Sequence, residues 1–317
     1  MSDFDLTFEA MGSEIRLLIG EPREPGMPTA AEAAAHARAY VEEFDARLSR
    51  FRAGSELCAL NRDPRERVPA SPLLRSAVAA GLWAAERSGG LVDPTLVGEI
   101  ESAGYADSRK DARPAAIGDA LAAAPPRHAA LPAAHSRWRE IRVEGRSVCR
   151  PPGVRFDTGG SGKGLCADAL AHMLRGYTRF AVDCGGDMRL AGGYEVELEH
   201  PLTRKCAARL PVQSGGIATS GVSRRIWQRP EGGFAHHLID PSTGEPAWTG
   251  LVSATALAPT ALEAETLAKI AFLSGPRGAR EVLRARGGAI VHEDGRLELL
   301  GPLRAEPLMR LRVRVPA

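Results

Sequence analysis

With 317 residues, 44% of them hydrophobic and 25% charged, the chain carries enough apolar material to bury a core, which excludes disorder as its dominant state. A formal charge of +2 argues against nucleic acid or an anionic membrane as the main partner, since both usually demand a basic surface. No heptad or Gly-X-Y period supports a coiled coil or a collagen-like fold, and the length suits a single domain over 1–317, with two lobes allowed.

In chain order, residues 4–9 and 14–19 alternate around Met11-Gly12-Ser13 and predict a hairpin. Residues 22–28 hold Pro and Gly and form a loop; Thr29 with Glu32 then makes a capping box opening a helix to about Leu48. Ser71-Pro72 starts a second helix, which Gly89-Gly90 stops. Residues 103–135 are rich in Ala and Pro, hold at most a short helix and read as a variable region. Glu144-Gly145 turns a hairpin within 139–149. Past Gly162, Leu165, Ala169, Leu170, Met173 and Leu174 have helical spacing up to Gly176. Short strands follow at about 179–184, 193–199, 206–212, 235–240 and 251–257, then helices at about 261–274 and 277–286. A hairpin turned at Asp294-Gly295 and a terminal strand from Met309 to Val315 close the chain. Strands arrive in clusters, not in strict βα alternation, which predicts an α+β fold of largely antiparallel or mixed sheets flanked by helices.

The five cysteines, Cys58, Cys149, Cys166, Cys184 and Cys206, form no CxxC pattern and read as small reduced thiols. The acidic start shows no signal peptide or lipoprotein signal, and no run of 18 apolar residues predicts a membrane span, so a cytoplasmic location is expected. Only four of the 41 basic residues are Lys: Lys110, Lys163, Lys205 and Lys269.

The most conspicuous chemistry lies at Asp157-Thr158-Gly159-Gly160-Ser161-Gly162-Lys163-Gly164. A Gly-rich turn opening a helix leaves N–H groups free for phosphate oxygens, and Lys163 adds a full charge. A Walker A loop is excluded, because Asp157 falls where its first Gly should be and Gly164 where its Mg²⁺-binding hydroxyl should be. Further polar or Gly-rich turns stand at Asp183 to Asp187, Gly216 to Gly221 and His236 to Gly244. The adjacent His236 and His237 point to opposite faces of a strand, which argues against a shared metal. Ser49-Arg50-Phe51, Gly54 to Leu57 and Asn61-Arg62 are unremarkable singly.

Taken in order, these pieces resemble the FAD:protein FMN transferase family. The likeness runs through Met11-Gly12-Ser13, Phe44 to Phe51, Ser55-Glu56-Leu57, Leu60-Asn61 and Gly89 to Thr95. It continues through Asp157 to Gly164, Gly185-Gly186-Asp187, Ala218 to Gly221, His237 to Gly244 and Glu265 to Gly275. The resemblance implies an enzyme that cleaves FAD and attaches FMN by a phosphoester to a Thr or Ser of an acceptor flavoprotein, releasing AMP with the help of Mg²⁺. A flavin-binding protein without turnover, or an FAD pyrophosphatase giving FMN and AMP, are the alternatives. By resemblance Met11 and Phe51 would pack against the flavin or adenine rings, and Leu91, Val92 and Asp93 would line the ring pocket. Asp157, Gly159, Gly160 and Lys163 would hold the polar part of FAD, Lys163 at a phosphate, with Ile239 beneath the cofactor. His237 and Asp240, with Lys163, would serve the phosphoryl chemistry, and the Gly160 carbonyl would bind the metal.

The chain departs from the family at the last block, where an Asp and a Thr ligate Mg²⁺. Anchored on Phe272 and Gly275, Glu265 takes the place of the Asp and Lys269 that of the Thr. Glu can still ligate; a protonated Lys cannot. Either the two form an ordinary i, i+4 ion pair, or Lys269 replaces part of the cation. A register using Glu263 breaks the spacing to Phe272-Gly275.

Overall fold

A computed structural model describes residues 3–109 and 114–302, together with the backbone of 312–315. Strands β1 (Phe4–Ala10) and β2 (Ser13–Ile19) pair antiparallel with Ala10 opposite Ser13, so only Met11-Gly12 makes the turn. Both have positive φ, 53° and 63°, the conformation that a tight hairpin with the natural twist demands. Gly12 adopts it freely, whereas Met11 carries a Cβ into a sparsely allowed region.

Helix α1 (Ala30–Leu48) opens at the expected capping box, the Thr29 N–H donating to Glu32 at 2.8 Å and the Glu32 N–H to Thr29 Oγ1 at 3.3 Å. A helix not expected from the sequence, α2 (Glu56–Arg62), is capped by Ser55. Strand β3 (Arg67–Pro69) precedes α3 (Pro72–Arg87), which begins at the Ser71-Pro72 signal. Helix α4 (Val97–Ile100) runs into a π-helical turn over Glu101–Tyr105, and α5 (Ile117–Ala123) is the short helix of the Ala/Pro-rich region. Strands β4 (Arg142–Glu144) and β5 (Ser147–Cys149) form the expected hairpin, followed by α6 (Gly162–Met173). Next come β6 (Phe180–Cys184), β7 (Asp187–Glu199), β8 (Cys206–Gly221), β9 (Ile226–Gln228), β10 (Phe234–His236) and β11 (Leu251–Ala258). Helices α7 (Ala261–Leu273) and α8 (Gly275–Leu283), then β12 (Gly288–His292), β13 (Leu297–Leu300) and the backbone of β14 (Arg312–Val315), follow. The expected strand residues from Met309 to Leu311 lie outside the described residues.

The fold is α+β. The main sheet runs β1-β2-β6-β7-β8-β11-β12-β13, antiparallel throughout, with β14 parallel to β7. Strands β7 and β8 are much longer than expected at 193–199 and 206–212. Gly192 and Gly193 shift the register between Ala191 and Tyr194 without ending the strand. The expected strand at 235–240 stops at His236.

Side chains of successive strand residues separate the cores. Ile15, Leu17 and Val182 pack with Val41, Phe44, Val78 and Leu170 from α1, α3 and α6. Leu18, Ala181, Met188 and Leu190 face the other side of the sheet. Ala254, Ala256 and Ile290 pack under Ala264, Ala268 and Phe272 of α7. Among the described residues no helix is long and apolar enough to cross a membrane.

Helices α6 and α7 meet at their first turns. Asp168 accepts from the Ala261 N–H at 2.8 Å and the Leu262 N–H at 2.9 Å, satisfying donors that a helix start leaves free. A Cβ on Gly164 would stand 2.7 Å from both Ala261 O and Leu262 N. Gly164→Ala should therefore lower stability by about 1–3 kcal/mol through overpacking. The measurement is the urea midpoint at unchanged m-value; an unmoved midpoint would show that the two helices separate freely.

Candidate active site

A cleft of about 1150 Å³ opens beside the start of α6. Its wall includes Met11, Phe51, Leu91, Val92, Asp93, Asp157, Gly159, Gly160, Lys163, His237, Ile239 and Lys269, so the fold gathers most of the residues singled out by the sequence. Asp240 and Glu265 are not in that wall.

The loop before α6 is held from behind. Asn61 Nδ2 donates to Phe156 O and the Phe156 N–H donates to Asn61 Oδ1, each at 2.8 Å. The Asp157 N–H donates to Pro94 O at 2.8 Å, tying the loop that bears Leu91, Val92 and Asp93 to the Gly-rich loop. Asp157 is engaged locally: Oδ1 accepts from the Gly159 N–H at 2.9 Å and Oδ2 lies 3.2 Å from Arg50 Nε. Asp157 thus positions the loop from within the cleft wall.

Arg50 also lies over the rings of Phe51 at 4.2 Å and Tyr105 at 4.8 Å. Phe51, Tyr105 and Trp227 form a row with centroids 5.3 and 5.5 Å apart, and Ile239 packs against Tyr105 and Trp227. Phe51 is the exposed ring of the row and offers apolar and π contact to a planar ligand, while Tyr105 and Trp227 are largely buried. Asp93 accepts from the Thr95 N–H at 2.8 Å and Thr95 Oγ1 at 2.5 Å; burial raises its carboxyl, and those two bonds pull the other way.

The charged part of the cleft is built from pairs. Lys163 Nζ lies 2.6 Å from Asp187 Oδ2 and donates to Gly185 O at 3.4 Å. Burial lowers the Lys163 ammonium, but Asp187 and Glu265 outweigh it, so its affinity for a proton is raised. Lys269 Nζ donates to Glu265 Oε1 at 2.9 Å, and the Gly164 N–H donates to Glu265 Oε2 at 2.8 Å. Burial pushes the Glu265 carboxyl up, with Lys269 and Lys163 opposing. Among the described residues no group of three or more His, Cys, Asp or Glu is placed to hold a metal, and both oxygens of Glu265 are engaged. An ammonium held 2.9 Å from the expected acidic ligand would repel a divalent cation there, and in this respect the residues present do not fit one.

The two histidines diverge as expected, although the strand ends at His236 and His237 lies just beyond it. His236 is buried against Trp248 and Phe272, and desolvation lowers it to about 3. His237 reaches the cleft, where burial and the cations Arg225, Lys269 and Lys163 hold it well below 6.5. A neutral imidazole results. Asp240, expected beside His237 in proton handling, instead builds a turn: its Oδ1 accepts from the Ser242 N–H at 2.9 Å, Ser242 Oγ at 2.7 Å and the Leu131 N–H at 3.2 Å.

Sequence reasoning assigned no role to Arg50, Tyr105, Asp183, Asp187, Arg225 or Trp227, all of which line the cleft. Arg50, Asp183 and Asp187 stood inside motifs already noticed. Tyr105 and Trp227 carried no signal, since their partnership joins segments far apart in the chain.

A model of the ApbE family matches residues 11–291. The chain is similar to a protein of Klebsiella pneumoniae (strain 342) named FAD:protein FMN transferase, at 29% identity over 269 residues covering 81% of this chain and 75% of that one. An Escherichia coli (strain K12) protein of the same name is 34% identical over 149 residues, 44% of this chain and 42% of the relative, so the chain spans under half of that relative's length. Among solved structures, the ApbE protein of Thermotoga maritima superposes with a TM-score of 0.75 at 24% identity, covering 94% of this chain and 97% of that one. The Pseudomonas stutzeri flavinyl transferase ApbE gives 0.72 at 21%, covering 95% and 96%. At these identities the two structures show the shared fold.

One carboxyl in the cleft sets a pH dependence. Burial pushes Asp183 up to about 7 with help from Asp187, against the Gly186 N–H at 2.7 Å and Lys163. Its ordinary value is 3.8, so between those values the native state binds more protons than the unfolded chain, and stability falls as pH rises. Asp183→Asn keeps an acceptor for the Gly186 N–H and removes the ionisation. The variant should match wild type near pH 4 and exceed it by about 1–4 kcal/mol at pH 8. Urea midpoints across that range test this; a difference independent of pH would refute it.

Proposed function

The chain belongs to the ApbE family, and from that membership we propose that it is an FAD:protein FMN transferase. It takes FAD as donor, joins FMN by a phosphoester to a Thr or Ser hydroxyl of an acceptor protein and releases AMP. The observation that carries this reading is the meeting, in one cleft, of a neutral His237, the cations Lys163 and Lys269, a helix start and an aromatic wall. Small-molecule pockets commonly measure about 300–1,000 Å³, so the cleft is roomy enough for a dinucleotide.

In this reading the isoalloxazine lies at the aromatic row, against Phe51, and the diphosphate faces the start of α6, where the helix dipole favours an anion. His237 takes the proton of the acceptor hydroxyl. The hydroxyl oxygen forms its bond to the FMN phosphorus, the bond from that phosphorus to the bridging oxygen breaks, and the electron pair leaves on AMP. Lys163 and Lys269 offset the charge that develops on the phosphate oxygens. Water in place of the hydroxyl would give FMN and AMP by the same route. A reducing, cytoplasmic setting is supported by five cysteines that are all unpaired.

His237→Gln should slow FMN transfer by about 10²–10⁴-fold while leaving the Kd for FAD near that of wild type. Transfer is read as AMP release together with protein-bound flavin. An unchanged rate would remove His237 from the chemistry, and AMP release without bound flavin would favour the pyrophosphatase. Asp93→Ala should weaken riboflavin binding more than AMP binding, as read by fluorescence quenching and calorimetry. Equal losses would place Asp93 outside the ring pocket.

A further inference from the structure

Phosphoryl-transfer sites ordinarily neutralise the phosphates with a divalent cation, which in a protein needs several oxygen ligands. Here two lysines stand in the cleft wall, each paired with a buried carboxylate. Two carboxylates whose side chains are 2% and 0% exposed, Asp187 and Glu265, each hold one lysine of the cleft wall. Each oxygen of Glu265 already accepts one bond, one from the Gly164 N–H and the other from Lys269. A metal ion could reach Glu265 only by displacing Lys269, because the ammonium and the ion would repel each other.

An incidental surface pair does not account for this arrangement. Surface pairs join exposed groups and contribute little, whereas Glu265 is wholly buried and the Lys269 side chain is 12% exposed. Burying a carboxylate is costly unless it is well paired, so the pair holds the ammonium in a fixed place. An ammonium has three protons. One of them is used on Glu265, which leaves two for oxygens in the cleft.

Resting on the transferase reading, we infer that Lys269 is the resident cation of this site, an ammonium built into α7 that faces the diphosphate of FAD in place of a divalent metal. Glu265 is its positioning residue, fixed in turn by the start of α6. Lys269 neither gives nor takes a proton; it contributes charge and hydrogen bonds.

The experiment uses the full chain freed of metal with EDTA, with FAD and riboflavin as ligands and Mn²⁺ as the metal probe. Wild type should bind FAD with the same Kd, within about two-fold, in EDTA and in millimolar Mg²⁺, and should release AMP at similar rates in both. Glu265→Asp with Lys269→Thr should lose about ten-fold or more in FAD affinity in EDTA, regain it with Mg²⁺, and bind Mn²⁺ detectably by electron paramagnetic resonance where wild type does not. Because Lys269→Met alone strands a buried carboxylate and threatens folding, the charge-free control is Glu265→Gln with Lys269→Met, which keeps an acceptor for the Gly164 N–H. It should bind FAD about ten-fold more weakly than wild type and riboflavin equally well. Wild-type FAD binding or AMP release that EDTA abolishes and Mg²⁺ restores would overturn the inference, as would a charge-free variant that binds FAD like wild type. Both outcomes leave the transferase reading standing, whereas a wild type that binds no FAD in any buffer removes both.

Discussion

The hydrogen bond from the Gly164 N–H to Glu265 joins the two helices on which the charged part of the cleft is built. It exists because Gly164 has no side chain to hold α7 away, and it is reinforced from the other direction by Asp168 reaching the first N–H groups of α7. A carboxylate so deeply placed needs every partner it has, since an unpaired buried charge costs several kcal/mol. Lys269, one turn further along α7, completes its coordination and is thereby held where it meets the cleft. Backbone approach, helix capping and the charge of the site are three aspects of one contact.

Arg50 plays the corresponding part for the apolar side. Its guanidinium lies over two rings of the aromatic row while its Nε pairs with Asp157. The loop that opens α6 and the wall of rings are therefore referenced to the same cation. An arginine suits this because its flat, always-charged group stacks and pairs at once, which a lysine does not do.

Local signals were legible in the sequence and long-range partnerships were not. Thr29 with Glu32, Ser71-Pro72 and the turns at Met11-Gly12, Glu144-Gly145 and Asp294-Gly295 act through neighbours in the chain, and each marks the boundary it predicts. Strands β7 and β8 run past Gly192-Gly193 and Gly215-Gly216, beyond the bounds expected, because ladder partners not visible locally carry them through. Ser55 caps a helix of only seven residues, too short for a periodic pattern to show. Within the site, Lys163 was legible as a cation at a Gly-rich turn, but its pairing with Asp187 depends on how β6 and β7 fold back beside α6. Asp240 drew notice beside His237, yet an Asp-Pro turn explains its position without any role in the cleft.

The amide of Asn61 touches nothing in the cleft, yet it fixes Phe156 at both its N–H and its carbonyl. It does so because an amide offers one donor and one acceptor side by side. Deamidation, the slow spontaneous conversion of Asn to Asp, would leave two acceptors there, one of them facing the Phe156 carbonyl oxygen. The segment leading into the Gly-rich loop would then lose its hold with every cleft residue intact. The helix that carries Asn61 also guards it, since a helical backbone keeps the following N–H turned away from the side chain that it would attack. The seven residues of α2 thus both place the amide that anchors the Gly-rich loop and shield it from that conversion.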